Sequence, residues 1–227
     1  MAIASWIRKR AVHHPIDPIQ IINITIEFVL ACTSLGLLLT VYPESFRETL
    51  WLIGGEAGWN SNPRLRIYFY ANYKEPPEIA FIWTHSLDVV NIGASITSLA
   101  VALTRIFFAY FHMTARVSNA FYDLLLLALW AYSVSIQLSG DYSDPKHLSH
   151  RPWYLEKSCS QITPGYVKFC HLSKAAFALC VLSAIFYCSR VVFLALRVAY
   201  GCGKLEIFEG GAEHAYRKLV LSEDENL

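Results

Sequence analysis

The chain has 227 residues, 55% hydrophobic and 16% charged, with 19 basic against 18 acidic side chains and a formal charge of +1. A mean hydropathy of +0.35 lies outside the range of ordinary soluble domains and marks an integral membrane protein. So nearly balanced a charge supplies no basic surface of the size nucleic acid demands, which sets nucleic acid aside as a partner.

A hydrocarbon core of about 30 Å takes about 20 helical residues, and four windows are long and apolar enough: residues 19–41, 79–107, 117–138 and 172–198. The first follows Arg8-Lys9-Arg10, as in a signal peptide. Its apolar part is too long for one, and no small-residue cleavage pattern precedes Tyr42-Pro43, so it is expected to stay as an anchor. Placing residues 1–18 and the tail 200–227 in the cytoplasm puts 42–78 and 139–171 in two outer loops. Ten Lys/Arg then lie inside against nine outside. Inner ones stand close to helix ends, at Arg8 to Arg10, Arg105, Arg116, Arg197 and Lys204, where basic residues orient a span most strongly. Gly201-Cys202-Gly203 is expected to stop the last helix, and Ser222 to Asn226 to form a solvated acidic end. The sole N-x-S/T match, Asn23-Ile24-Thr25, falls inside the first span, out of reach of glycosylation.

The first outer loop opens with Pro43 to Ile53, whose mixed apolar and charged pattern predicts a short helix at the lipid surface, with Trp51 and Trp59 suited to that depth. From Leu65 to Tyr70 apolar and polar residues alternate, and period two predicts a strand. Trp59, Arg64, Arg66, Tyr68, Tyr70, Trp153 and Tyr154 are types enriched at binding surfaces. They equally suit an aromatic cap folded onto the helices at headgroup level. Pro76-Pro77 stiffens the approach to the second span. In the second loop Asp141, Asp144, His147 and His150 recur at a spacing of three. Such donors are chemically able to hold zinc, but Asp-Pro and Ser-rich spacing equally describes turns, and no metal or other cofactor is assigned. This loop alone carries two cysteines, Cys159 and Cys170, and a disulfide between them requires an oxidising compartment. Cys32, Cys180 and Cys188 sit in apolar helices and Cys202 in the tail, where reduced thiols are expected.

Charges inside a bilayer cost a few kcal/mol at least, so each needs a partner or a purpose. Glu27 and Asp88 fall near the middle of their spans, with Asp123, Arg190 and Arg105 toward the inner ends of theirs. In one reading Glu27 or Asp88 is a neutral acid able to protonate a substrate dissolved in the membrane, and His85, Asp88 and Asn91 form a polar stripe at helical spacing along the second span. In the other, Asp123 pairs with Arg190 and Glu27 with Arg105 or a helix hydroxyl, fixing helix packing alone. Asp88 has no evident basic partner. Small residues in the second span (Gly93, Ala94, Ser95, Ser98) and the fourth (Ser173, Ala175, Ala176, Ala178, Ser183, Ala184) allow close helix contact, which disfavours a channel or transporter acting alone.

Gly58-Trp59-Asn60-Ser61-Asn62-Pro63, Tyr70-Ala71-Asn72, Pro76-Pro77-Glu78, Ser139 to Pro145, Arg151 to Leu155 and Cys159 resemble the loops of a group of fungal four-helix membrane proteins of MARVEL-like tetraspanning layout. The likeness covers roughly residues 15 to 200. It implies a fungal membrane protein with a membrane-apposition, sorting or scaffold role, and it carries over no catalytic residue. The chain departs from the claudin branch, because its first outer loop has no cysteine pair. The expectation is an all-α four-helix transmembrane bundle in the secretory pathway or plasma membrane, a non-enzymatic scaffold whose partners are the lipid bilayer and other membrane proteins or itself. The alternative is a membrane-embedded accessory enzyme, isomerase or cyclase-like, in lipid or specialised metabolism, with Asp88, Glu27 and His85 as its acid/base set.

Overall fold

The computed structural model describes residues 18–111 and 116–224. The basic lead Arg8 to Arg10 and, of the acidic end, Glu225 and Asn226 lie outside them. Four long helices dominate: α1 (Pro18–Val41), α4 (His85–Tyr110), α5 (Arg116–Gln137) and α7 (Val167–Asp224). Each contains a stretch long and apolar enough to cross a membrane. Three short helices, α2 (Glu44–Glu56), α3 (Arg66–Ala71) and α6 (Trp153–Glu156), lie in the connections. The described residues form no strand; one isolated antiparallel bridge joins Asp141 to Ser149.

The long helices pack α1 against α4 and α7, and α5 against α4 and α7. Their buried positions alternate in steps of four and three. On α1 these are Glu27, Ala31, Ser34, Leu38 and Val41; on α5 they are Asp123, Leu126, Trp130, Ser133 and Gln137. On α4, Asp88, Asn91, Ser95, Ser98, Ala102 and Arg105 keep the same rhythm, and on α7 so do Ser173, Ala176, Cys180, Ser183 and Tyr187. A mean step of 3.5 keeps one seam of each helix facing its neighbours. About half of these seam positions are polar, while Ile22, Val29, Ile96, Leu103, Leu124, Ile185 and Phe193 stand exposed on the opposite sides. Polar inside and apolar outside is the inverse of a soluble helical domain and is stable only where lipid covers the outer face.

The connections at one end fold into a cap. Phe46, Leu50 and Trp51 of α2 pack with Ile82, Trp83, Trp153 and Tyr154 above Leu38 and Val41 of α1. Cys159 and Cys170, disulfide-bonded with their Cα atoms 5.7 Å apart, tie the end of the second connection to the first turn of α7.

Three sequence expectations are corrected. Residues 65–70 form no strand: Asn62 accepts from the Arg64 amide at 2.9 Å, Pro63 starts a turn of 3-10 helix, and α3 continues it. With no neighbouring strand to pair its backbone, the segment satisfies itself locally as helix. The helix predicted from Pro43 forms, and Phe46, Arg47, Leu50 and Trp51 bury one face of it in the cap. The second apolar window is part span and part cap, because Ile82 and Trp83 are buried in a 3-10 turn before α4 begins at His85. Finally, α7 runs unbroken past Gly201 and Gly203 to Asp224. Glycine in a helix interior costs about 1 kcal/mol but does not by itself end the helix.

Candidate functional site

The polar seam divides into levels, which hold the ionisable residues singled out inside the spans, His85 excepted. Toward the end away from the cap, Arg105 of α4 donates from Nη1 to both oxygens of Glu27 at 2.6 and 2.7 Å and from Nη2 to Asp123 at 2.7 Å. Arg190 of α7 reaches the same two acids, at 2.9 Å from Nη1 to Glu27 and 3.2 Å from Nε to Asp123. The Tyr187 hydroxyl donates to Glu27 at 3.2 Å. Two arginines thus face two carboxylates, one from each long helix, and the group is neutral as a whole. Coulomb attraction at such short range in a low-dielectric interior offsets a desolvation cost that neither sign would survive alone.

One level nearer the cap, Trp130 donates from Nε1 to Ser98 at 3.0 Å. Above it Ser133 donates to Asn91 Oδ1 at 2.5 Å, and Gln137 donates to Ser133 at 3.1 Å and to the Cys180 sulfur at 3.2 Å. The bonds to Ser98, Asn91 and Cys180 cross from α5 to α4 and α7, so each fixes helix height as well as contact.

At the join with the cap lies the partner that Asp88 lacks in the sequence reading. Arg47, on α2, donates from Nη2 to Asp88 Oδ1 at 2.7 Å and from Nε to Oδ1 and Oδ2 at 2.9 and 3.1 Å. Its Nη1 turns to the Tyr154 hydroxyl at 3.4 Å and the Ile82 carbonyl at 3.5 Å. Burial works against the Arg47 charge, but Tyr154 and Asp88 outweigh it and hold its pKa above the ordinary value. Burial raises the Tyr154 hydroxyl, which therefore stays protonated.

The cap is organised by Asp141. Its Oδ2 accepts from Ser61 Oγ at 2.6 Å and from Trp83 Nε1 at 2.8 Å, and its Oδ1 from Ser143 Oγ at 2.6 Å. Ser61 in turn accepts from Trp51 Nε1 at 3.0 Å. Burial pushes the Asp141 carboxyl up, but hydrogen bonds from Ser143, Ser61 and Trp83 more than offset this and hold it below the usual carboxylate range. Trp153 donates from Nε1 to the Leu50 carbonyl at 2.9 Å, and Asn60 donates to the Trp51 carbonyl at 3.2 Å. Asn60, Ser61, Asp141, Ser143 and Trp153, prominent in the loop segments quoted above, are therefore the wiring of this cap.

The candidate residues separate accordingly. Asp88 and Glu27 are fully buried and bonded to arginine, with Asp123, Arg190 and Arg105 in the Glu27 group. His85 stacks its ring at 4.7 Å on Tyr42 and does not bond Asp88; its buried Nδ1 has no partner. Of the seven residues suggested for recognition, Trp153 and Tyr154 are buried and Trp59 packs on Trp153 at 5.5 Å. Arg64 pairs with Glu56 at 2.7 Å on the surface, and Arg66 donates to the Pro77 carbonyl at 2.5 Å. Tyr68 and Tyr70 remain exposed. The spacing Asp141, Asp144, His147, His150 does not assemble a metal centre: Asp141 is consumed by the cap, Asp144 bonds His147 at 2.8 Å, and His150 meets Tyr142 at 3.2 Å. Among the described residues no three His, Cys, Asp or Glu come together as ligands.

Sequence reasoning missed Arg47. The window opened at Ile79 set Asp88 near mid-span, whereas α4 begins at His85 and puts Asp88 in its first turn, within reach of Arg47, six residues after α1 ends at Val41. Tyr187 was missed because an aromatic residue in an apolar helix reads as core.

No family model matches the chain, and no solved structure matches it. Among curated proteins it is similar to Kojic acid related protein 1 of Aspergillus oryzae, 32% identical over 118 residues, which is 50% of this chain and 44% of that protein. The chain thus spans less than half the length of the curated relative it matches.

Proposed function

We propose that the chain is a non-enzymatic membrane-organising protein, a four-helix transmembrane bundle of the kind the MARVEL-like resemblance implies, working in a fungal specialised-metabolite setting. The observation that carries this reading is the state of Asp88 and Glu27. Both are fully buried, and every oxygen of each accepts from an arginine. A general acid must present a proton to a substrate atom, and these carboxylates face guanidinium groups and, at Glu27, the Tyr187 hydroxyl. The name of the similar Aspergillus oryzae protein supports the metabolic setting. In this reading both termini face the cytoplasm and both long connections lie outside, which the Cys159–Cys170 disulfide in the cap supports, since such bonds persist in oxidising compartments.

The alternative, an accessory enzyme, has one observation behind it: His85 Nδ1 and Asn91 Nδ2, both on α4, are buried without partners. A paired substitution separates the two readings. Replacing Arg47 by Met together with Asp88 by Leu removes both charges and keeps the volume, so the fold survives. Extracted metabolites are then compared at matched membrane levels. The organising role expects unchanged chemistry, and a discrete accumulating precursor would overturn it in favour of the enzyme.

A further inference from the structure

Beside the cap, α3 and the segment leading to Pro77 enclose an open cleft of about 620 Å³, within the range of small-ligand sites. Its lining carries Arg66, Tyr70, Tyr73, Lys74, Glu75 and Glu78. The cap takes up little of this chemistry. Lys74, Glu75 and Glu78 form no ion pair among the described residues, and Arg66 spends one nitrogen on the Pro77 carbonyl. Two cations and two carboxylates leave the cleft without net charge.

Tyr73 is the feature that folding alone does not explain. It has φ of +53°, the positive-φ residue other than glycine in the described structure, and its side chain is fully exposed. Its amide donates to the Tyr70 carbonyl at 3.1 Å and the Lys74 amide to the Phe69 carbonyl at 2.9 Å. That pair of bonds is a helix ending in which the left-handed residue is ordinarily glycine, because a Cβ there is crowded by the backbone. A tyrosine at this position bears the backbone strain and buries nothing in return. Strain of this kind collects where a side chain is needed for binding.

We propose that this cleft binds a phosphocholine group. A quaternary ammonium has no N–H to donate, and the side chains that suit it are aromatic rings and carboxylates, supplied here by Tyr70, Tyr73, Glu75 and Glu78. Lys74 and the remaining nitrogens of Arg66 suit the phosphate. A zwitterion matches a neutral cleft holding both signs better than a simple anion or cation does. Ile79 and Phe81 are exposed apolar residues directly after the cleft, and α4 begins at His85, so a lipid headgroup is within reach as well as a soluble phosphocholine ester.

The test uses the full chain in maltoside detergent and in nanodiscs. Tyr73→Gly relieves the backbone and keeps the fold, so its thermal midpoint equals or exceeds that of the parent; Tyr73→Phe keeps the ring. With soluble phosphocholine read by fluorescence of Trp51, which lies 6.0 Å from the Arg66 guanidinium, the parent and Tyr73→Phe bind saturably. Tyr73→Gly binds at least tenfold more weakly, and choline or inorganic phosphate alone binds at least tenfold more weakly to the parent. If the ligand is borne by lipid, phosphatidylcholine nanodiscs raise the parent's midpoint above that in phosphatidylglycerol nanodiscs, and Tyr73→Gly loses this difference. Equal binding of phosphate alone, unchanged binding by Tyr73→Gly, or no response to either soluble phosphocholine or phosphatidylcholine overturns the proposal.

Discussion

Arg47 and Asp88 lie 41 residues apart in sequence and 2.7 Å apart in space, and neither touches solvent appreciably. One belongs to a cap helix and the other to a long helix, so this pair is where the cap is fastened to the helices below it. Arg47→Ala should cost about 3–5 kcal/mol, because it leaves a buried carboxylate unpaired, whereas Arg47→Met with Asp88→Leu should be near neutral. Thermal unfolding in detergent micelles, compared across the singles and the double, measures the difference; equal losses would show that the pair does not act as a unit.

The two arginines of the lower group should not be equivalent. Arg105 is 4% exposed and holds both Glu27 and Asp123 at 2.7 Å or less, while Arg190 is 17% exposed and more distant. Arg105→Met is expected to lower stability by about 3–5 kcal/mol, and Arg190→Met by about 1–3 kcal/mol. Chemical unfolding of the two variants side by side tests the order.

Acid should open the cap through Asp141. Its folded pKa is below that of an unfolded aspartate, about 3.9, so its contribution is complete above about pH 4 and is lost as pH falls through the lower folded value. Emission from Trp83, which donates to Asp141, is expected to shift red over that range. Asp141→Asn should remove this acid limb; an identical titration in the variant would place the transition elsewhere.

Gly54 should tolerate no side chain. A Cβ there would overlap Asn60 Oδ1 and the Trp153 indole, whereas one at Gly36 meets nothing within 4 Å. Both lie inside helices, where alanine is intrinsically favoured. Gly54→Ala is nevertheless expected to cost about 1–3 kcal/mol through overpacking, and Gly36→Ala to be neutral or stabilising. Melting temperatures of the two variants decide it.

Reduction of the Cys159–Cys170 bond, or its removal by paired serine substitution, should cost about 3 kcal/mol on the loop-closure account. Maleimide labelling of intact cells without reductant is expected to leave these two sulfurs unmodified, and rapid labelling would show that the bond is open.

Much of the helical layout was legible because apolar length is a one-dimensional property. Windows at 19–41 and 117–138 match α1 and α5 to within two residues at either end. The cap was less legible, since its logic is non-local. Ile79 to Trp83 read as membrane because hydropathy does not distinguish lipid from a neighbouring indole. Leu65 to Tyr70 alternate as a strand does, but no neighbouring strand among the described residues pairs with them. The possible pairings of Glu27 and Asp123 were visible because charges in a bilayer restrict the choice of partners, while Arg47 was hidden in a segment whose depth the sequence does not state.

The neutrality of the lower group bears on how the chain is made. Its charges arrive on four separate helices, in the order Glu27, Arg105, Asp123, Arg190. Synthesis therefore alternates an acid with a base, and each second helix cancels what the previous one left exposed to lipid. A chain halted after the second helix has Glu27 matched by Arg105, but one halted after the third carries two carboxylates on a single guanidinium. Such a product holds an uncompensated negative charge within the bilayer, a signal that membrane quality control could read as incompleteness until α7 is in place.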